Sequence, residues 1–160
     1  MEQPMTRKAY EKLQEELRRL QEVELPAAQE RMARARELGD LRENAEYHAS
    51  KEELQRLHER IATLVERLRN CRIVADDEIP RDKVALGARV RIYDITYEEE
   101  RVIEFVSPGE ENVLESKLLI TSPIGQALLG KGVGEEVEMQ TPRGPRRVRI
   151  LEISYPTLED

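Results

Sequence analysis

Two stretches of three-four hydrophobic spacing, separated by a short polar turn, constrain this chain more than any other feature in it. In the first stretch Tyr10, Leu13, Leu17 and Leu20 recur at intervals of three and four, the narrow seam of a coiled coil and not the broader stripe of a globular helix. Thr6 precedes that run as a candidate N-cap. Beyond Pro26 the seam resumes out of phase through Ala28, Met32 and Ala35. Proline removes a helix hydrogen bond, and because charge-rich helical composition continues on both sides, a kink is expected there and not an end. The second stretch is cleaner: Tyr47, Ser50, Leu54, Leu57, Ile61, Leu64, Leu68 and Cys71 keep the rhythm, with mostly Glu, Arg, Lys, Gln or His between them. A gap this short makes the two arms antiparallel neighbours. About thirty residues per arm at a rise of 1.5 Å gives a hairpin on the order of 45 Å long. Near the turn Ala28, Ala35, Ala45 and Ala49 replace leucine on the seam, which implies a slender distal end.

Composition bounds the remainder. With 39% hydrophobic and 37% charged residues in 160, the expectation is one or two small soluble domains, and no apolar run is long enough to span a membrane. The N-terminus carries no signal-peptide pattern, and the lone Cys71 falls on a heptad position, where it reads as a small core residue in a reducing compartment. A cytoplasmic location is therefore expected. The net charge of -7 is unevenly spread: residues 1–75 hold 15 acidic and 15 basic side chains, leaving 18 and 11 for residues 76–160. Any basic surface must be local.

The heptads stop at an acidic, proline-containing linker, Ala75-Asp76-Asp77-Glu78-Ile79-Pro80, and β-branched runs follow. Residues 89–95, 101–106 and 118–121 read as short strands, and residues 136–140 and 147–153 alternate apolar with charged. Thr141-Pro142-Arg143-Gly144 is a hairpin turn signal. One short helix interrupts the strands: Ser122 caps it, Pro123 suits its first turn, Ile124, Ala127 and Leu128 form its apolar face, and Gly130 ends it. The expected division is a helical hairpin over 1–75, a linker over 76–82 and a mostly antiparallel β domain with one helix over 83–160, an α+β arrangement.

Chemistry is scarce. His48 and His58 are ten apart on a helix and do not face one another, so a metal role for them is disfavoured. Gly130-Lys131-Gly132-Val133-Gly134 follows a helix and precedes a strand, the reverse of the order a phosphate-binding helix N-terminus requires. No nucleophile and base pair stands out, so any catalytic part must be a fragment of a site completed by a partner. The turn carboxylates Asp40 and Glu43 are the candidates for that fragment. Asp40-x-x-Glu43 fits a capping box, with Asp40 accepting from the first amides of the second helix and Glu43 reaching back. The same spacing puts both carboxylates on one side, within reach of one divalent ion. Mg²⁺ wants about six oxygens and typically takes one or two from protein carboxylates, so water, phosphate or a second protein would supply the others. The two readings are compatible, because each carboxylate has two oxygens.

The decapeptide Gly39-Asp40-Leu41-Arg42-Glu43-Asn44-Ala45-Glu46-Tyr47-His48 resembles the tip motif of the bacterial transcript cleavage factors of the Gre family. The resemblance extends to Ser122-Pro123-Ile124-Gly125-Gln126-Ala127-Leu128-Leu129-Gly130-Lys131 and to Thr141-Pro142-Arg143-Gly144, and so covers essentially the whole chain. It implies an FKBP-like C-terminal domain that docks on the rim of the RNA polymerase secondary channel, and a coiled coil that passes down the channel to the active centre. It implies that the chain is an accessory factor and not an enzyme, one that stimulates the polymerase's own cleavage of backtracked nascent RNA and so rescues arrested complexes. Asp40 and Glu43 match the family's catalytic acids, which help hold the second catalytic Mg²⁺ jointly with the polymerase; no Mg²⁺ is expected on the free protein. The chemistry is two-metal phosphodiester hydrolysis. Arg36 and Lys51 fall where the family's basic patch meets the RNA 3' segment, while their residue-level reading is two solvated charges on a helix. Ser122 and Pro123 fall in the polymerase-docking loop, besides capping their helix.

Arg143, Arg146, Arg147 and Arg149 make the final hairpin more basic than the family pattern and could suggest nucleic-acid contact; a plain solvent-facing strand is the favoured reading. The alternative function is a binding-only regulator that occupies the same channel and inhibits the polymerase; family members of that kind carry a more acidic tip than this one. The FKBP-like fold also raises prolyl isomerisation, which needs an aromatic-lined pocket, and the second domain offers only Tyr93, Tyr97, Phe105 and Tyr155 with no Trp. No membrane partner and no small-molecule substrate are expected.

Overall fold

The first helical arm is continuous through its proline because one extra residue is absorbed ahead of it. In the computed structural model, which describes residues 2–39 and 44–156, helix α1 (Arg7–Arg19) runs into a π-helical segment, Leu20–Glu24, and then into α2 (Leu25–Arg36) with Pro26 in its first turn. The Leu25 amide donates to the Leu20 carbonyl, five residues back, which marks a π-type insertion directly ahead of Pro26. The buried positions record the insertion. Leu13 to Leu20 and Ala28 to Ala35 are seven apart, whereas Leu20 to Ala28 is eight. A one-residue π-bulge is thus the physical form of the expected phase shift at Pro26.

The second arm is α3 (Ala45–Arg69), with Arg67 and Arg69 in its last turn, where the helix dipole favours cations. Tyr47, Ser50, Leu54, Leu57, Ile61, Leu64 and Leu68 are all buried or half-buried, as their spacing requires. The arms are antiparallel, since Glu16 pairs with Arg60 further along α3 and Arg31 pairs with Glu53 nearer its start. These exposed ion pairs contribute about 0–1 kcal/mol each, so the apolar seam carries the pairing. The small-residue stripe is one-sided: Ala28 and Ala35 are buried, while Ala45 and Ala49 are exposed, because α3 turns Tyr47 and Ser50 inward at that level.

The helical unit comprises Lys8–Asn70, and a second unit comprises Met1–Arg7 with Cys71–Asp160. The hairpin expected over 1–75 is thus shorter at both ends. Strand β1 (Gln3–Thr6) pairs in parallel with β2 (Cys71–Val74), in register Gln3 to Cys71 through Thr6 to Val74. Parallel neighbours need a long crossover, and the whole helical hairpin is that crossover. Cys71 therefore opens a strand instead of closing a heptad. Met5 is fully buried, and the Thr6 amide donates to Ser107 Oγ at 3.1 Å, which fastens the N-terminal strand to its unit.

The main sheet has the order β5-β4-β3-β7-β6, formed by β3 (Arg89–Asp94), β4 (Glu99–Val106), β5 (Lys117–Leu119), β6 (Glu136–Thr141) and β7 (Gly144–Ser154). Only the β4–β5 pair is parallel. Helix α4 (Pro123–Leu128) is capped by Ser122, whose Oγ accepts from the Gly125 amide at 3.2 Å. The core centres on Phe105, Ile92, Ile103, Leu128 and Ile150, all at most 2% exposed. This is the α+β arrangement the sequence predicts.

One acid sits on the core face. Alternation along β3 buries Val90, Ile92 and Asp94 together, and Asp94 is 1% exposed. Its Oδ1 accepts from the Tyr97 amide at 3.0 Å, and its Oδ2 accepts from Arg146 Nε at 2.8 Å. The Arg146 guanidinium also lies 4.6 Å from the Tyr97 ring centroid, so the β3–β4 turn is pinned to β7. Burial pushes the Asp94 carboxyl up, but the Tyr97 amide and the Arg146 guanidinium outweigh it and hold the group below the usual aspartate range. A depressed carboxylate contributes stability that is fully present above the unfolded pKa and is lost as pH falls through the folded one. The expected result is a stability advantage of wild type over Asp94→Asn that is full at pH 7. It shrinks once pH drops toward the ordinary aspartate value of about 3.9. Denaturant midpoints for the two proteins across pH 7 to 2.5 measure it, and an unchanged gap at the acid end would remove Asp94 from the account.

Candidate functional site

The turn between the arms is approached from two well-defined ends. At the end of α2 the amides of Glu37, Leu38 and Gly39 donate to the carbonyls of Arg34, Ala35 and Arg36 at 3.1, 3.2 and 3.4 Å, a tightened last turn. Gly39 then takes φ +116°, a conformation that side chains with a Cβ rarely adopt, and so ends the helix. On the other side Asn44 is the N-cap of α3. Its Oδ1 accepts from the Tyr47 amide at 3.1 Å, and its Nδ2 donates across the turn to the Ala35 carbonyl at 2.5 Å.

Asp40 and Glu43 lie outside the described residues, covalently joined to these two ends. The expected capping box is corrected in one respect: the residue that caps α3 is Asn44, not Asp40. Sequence reasoning passed over Asn44, although Asn directly ahead of Ala45-Glu46 is a good cap followed by an acid in the first turn.

The basic candidates flank the same base. Arg36 is exposed at the end of α2, and its guanidinium lies 5.8 Å from the centroid of the Tyr47 ring on α3. Lys51 is exposed on α3 four residues past Tyr47, hence on the same helix face. His48 stands edge-on to Tyr47 at 5.5 Å. The arrangement offers two cations and an aromatic ring beside the segment that carries the two acids, chemistry suited to a phosphate chain and a divalent ion.

The second unit carries a recess of about 300 Å³ lined by Ile92, Leu118, Ser122, Pro123, Ile124 and Met139, with Asp94 and Arg146 on one wall. Ser122 and Pro123 thus start α4 and also face an open apolar surface. Four other ring-bearing residues are placed elsewhere: Phe105 is fully buried, Tyr155 is 3% exposed with its hydroxyl donating to the Lys83 carbonyl, Tyr97 stacks on Arg146, and Tyr93 is half-buried in β3. Burial pushes the Tyr155 hydroxyl up to about 12. The basic final hairpin is matched by acids, with Arg149 2.6 Å and Arg147 3.8 Å from Glu136, and Arg146 on Asp94. Among the described residues no cluster of three or more His, Cys, Asp or Glu could hold a metal ion, and no helix is long and apolar enough to cross a membrane.

Comparison with known proteins matches both parts of the chain. Residues 3–73 match the family "Transcription elongation factor, N-terminal", and residues 79–155 match "Transcription elongation factor, GreA/GreB, C-term". The chain is 45% identical over 152 residues to the transcription elongation factor GreA of Thermodesulfovibrio yellowstonii, covering 95% of this chain and 96% of that one. It is 39% identical to the GreA of Caldanaerobacter subterraneus subsp. tengcongensis, covering 93% and 95%. Among solved structures, GreA factor homolog 1 (Gfh1) of Thermus thermophilus is 32% identical over 96% of this chain and 99% of that one, with a TM-score of 0.47.

Proposed function

The chain belongs to the GreA/GreB family of transcription elongation factors, and from that premise we propose that it binds RNA polymerase and stimulates the polymerase's own cleavage of backtracked nascent RNA. The reading makes it an accessory factor of the cytoplasm that supplies part of a site and relies on the polymerase for the remainder. The observation that carries it is the pairing of a family match over both halves with two carboxylates, Asp40 and Glu43, in the turn of an antiparallel helical hairpin.

The residues fit a shared magnesium ion by donor chemistry. Both are hard carboxylate ligands, of the kind Mg²⁺ takes one or two at a time from a protein. Asp40 and Glu43 would hold the Mg²⁺ together with polymerase aspartates, and the bound ion supplies an activated water and neutralises charge developing at the phosphate. Arg36 and Lys51 would bind the phosphates of the RNA 3' segment, each acting as a local contact on a hairpin without excess charge. Ser122 and Pro123 would dock on the polymerase rim, where the apolar recess beside them gives a second protein surface to bury.

The test is to add the protein to a stalled, backtracked elongation complex with labelled RNA in the presence of Mg²⁺. Shortened transcripts that extend again on nucleotide addition are expected. Competition for the polymerase with no shortening at saturating protein would instead favour a binding-only channel regulator.

A further inference from the structure

Asn44 joins the two arms at the level of the turn through both ends of one amide. Its carbonyl oxygen takes the Tyr47 amide at 3.1 Å, which fixes the start of α3. Its NH₂ group gives a 2.5 Å hydrogen bond to the Ala35 carbonyl in the last turn of α2. That carbonyl also receives the Leu38 amide at 3.2 Å, so Asn44 is bonded to the turn of helix that leads directly into Gly39. A third contact spans the same gap, with Arg36 of α2 5.8 Å from the ring of Tyr47. The backbone between these anchors is residues 37–43, the stretch that contains both acids.

We infer that Asn44 is a positioning residue for transcript cleavage: by capping α3 and binding the α2 terminus at once, it sets the separation and direction of the chain ends that present Asp40 and Glu43. The inference rests on the cleavage-factor reading above. Capping alone does not need asparagine, because serine, aspartate and asparagine cap about equally well. What asparagine adds is a donor on the same rigid group as the capping acceptor. Serine carries its oxygen one bond closer to the backbone than the Asn44 NH₂, so it reaches the Tyr47 amide as a cap while falling short of the Ala35 carbonyl. The two contacts can therefore be separated by substitution. Misplacement of reacting groups by about 1 Å can cost as much as 10²-fold in rate, which makes the cross-turn bond the one that matters for chemistry.

The experiment compares wild type, Asn44→Ser and Asn44→Ala in three measurements: polymerase competition, cleavage as a function of factor concentration, and amide hydrogen exchange at Tyr47. Asn44→Ser is expected to keep slow exchange at Tyr47 and the wild-type half-saturating concentration, while its maximal cleavage rate falls on the order of tenfold. Asn44→Ala is expected to speed exchange at Tyr47 and to lose at least as much cleavage. A residue with only a capping role would show the alanine defect and none for serine, and that outcome overturns the inference. Equal loss of polymerase binding and cleavage in Asn44→Ser overturns it too, since it would indicate a docking or folding defect. If wild type itself shortens no transcript, it is the cleavage reading beneath the inference that fails.

Discussion

Asp40→Asn combined with Glu43→Gln is expected to abolish transcript shortening while leaving competition for RNA polymerase at the wild-type level. Both changes are isosteric amides that remove one negative charge each and replace an anionic oxygen with a weaker ligand. A cation shared between two proteins is held by few ligands from either, so losing two charged donors removes most of this chain's share. Charge stabilisation by a catalytic ion is worth several kcal/mol, and a factor of ten corresponds to 1.4 kcal/mol, so each single substitution should cost roughly 10²-fold in cleavage rate. The pair should not cost the product of the two, because both act on one ion. Fold damage is tested by the same comparison, since the cap of α3 is Asn44, which both substitutions leave in place, and a misfolded tip would lose competition as well as cleavage. Rates of RNA shortening in a preassembled backtracked complex, with bound factor quantified separately, give the comparison. A double variant that cleaves at the wild-type rate would eliminate the shared-ion reading, and one that fails to compete would relocate the acids to binding.

The seam of the hairpin was legible because its signal repeats. Leu54, Leu57, Ile61, Leu64 and Leu68 each support the same phase, and it leaves Leu64 buried and the other four half-buried. Pro26 announced a break in phase, but whether the helix would bend or insert a residue depends on how α3 packs alongside, which a periodicity does not contain. The ends of the hairpin were hidden for a different reason. Gln3–Thr6 is four residues including a proline, too short to show alternation, and its partner Cys71–Val74 begins three residues after Leu68, where a heptad position was due. The β-branched Ile73-Val74 was the available hint, and tertiary pairing decided the outcome.

In the second unit, turn chemistry was the readable part. Ser122-Pro123 starts a helix and Thr141-Pro142-Arg143-Gly144 closes a hairpin, with Gly144 at φ +111° where the turn demands a left-handed residue. The buried Asp94 was not readable, because its partner Arg146 is 52 residues away and only the pairing of β3 with β7 brings them together. The same limit applied at the turn. Asp40 and Glu43 stood out as a spacing, whereas Asn44 gained its meaning from a bond to Ala35 nine residues earlier.

Phe105→Ala is expected to lower the stability of the C-terminal unit by about 3–5 kcal/mol. Phe105 is the chain's only phenylalanine, is fully buried and is the largest of the fully buried side chains. Its backbone is locked on one edge, where its amide donates to Ala88 at 2.8 Å and its carbonyl accepts from Gly87 at 2.9 Å, so the strand cannot slide to refill the space. On the other edge it pairs with Leu118 of β5, and Leu118 lines the recess beside Ser122 and Pro123. The loss is large against a total stability of about 5–15 kcal/mol. At roughly 4–8 °C per kcal/mol for a unit of this size, the melting transition should fall by tens of degrees. Val102→Ala is the control on the same strand: its side chain points to the opposite face and is 49% exposed, so it should change stability by no more than about 0.5 kcal/mol. Polymerase competition should weaken for Phe105→Ala as β5 loosens, even below its melting point, and remain normal for Val102→Ala. Thermal melts and competition titrations run in parallel decide this; equal melting temperatures for the two variants would mean that the core is not centred on Phe105, and a destabilised variant that competes normally would detach the recess from docking.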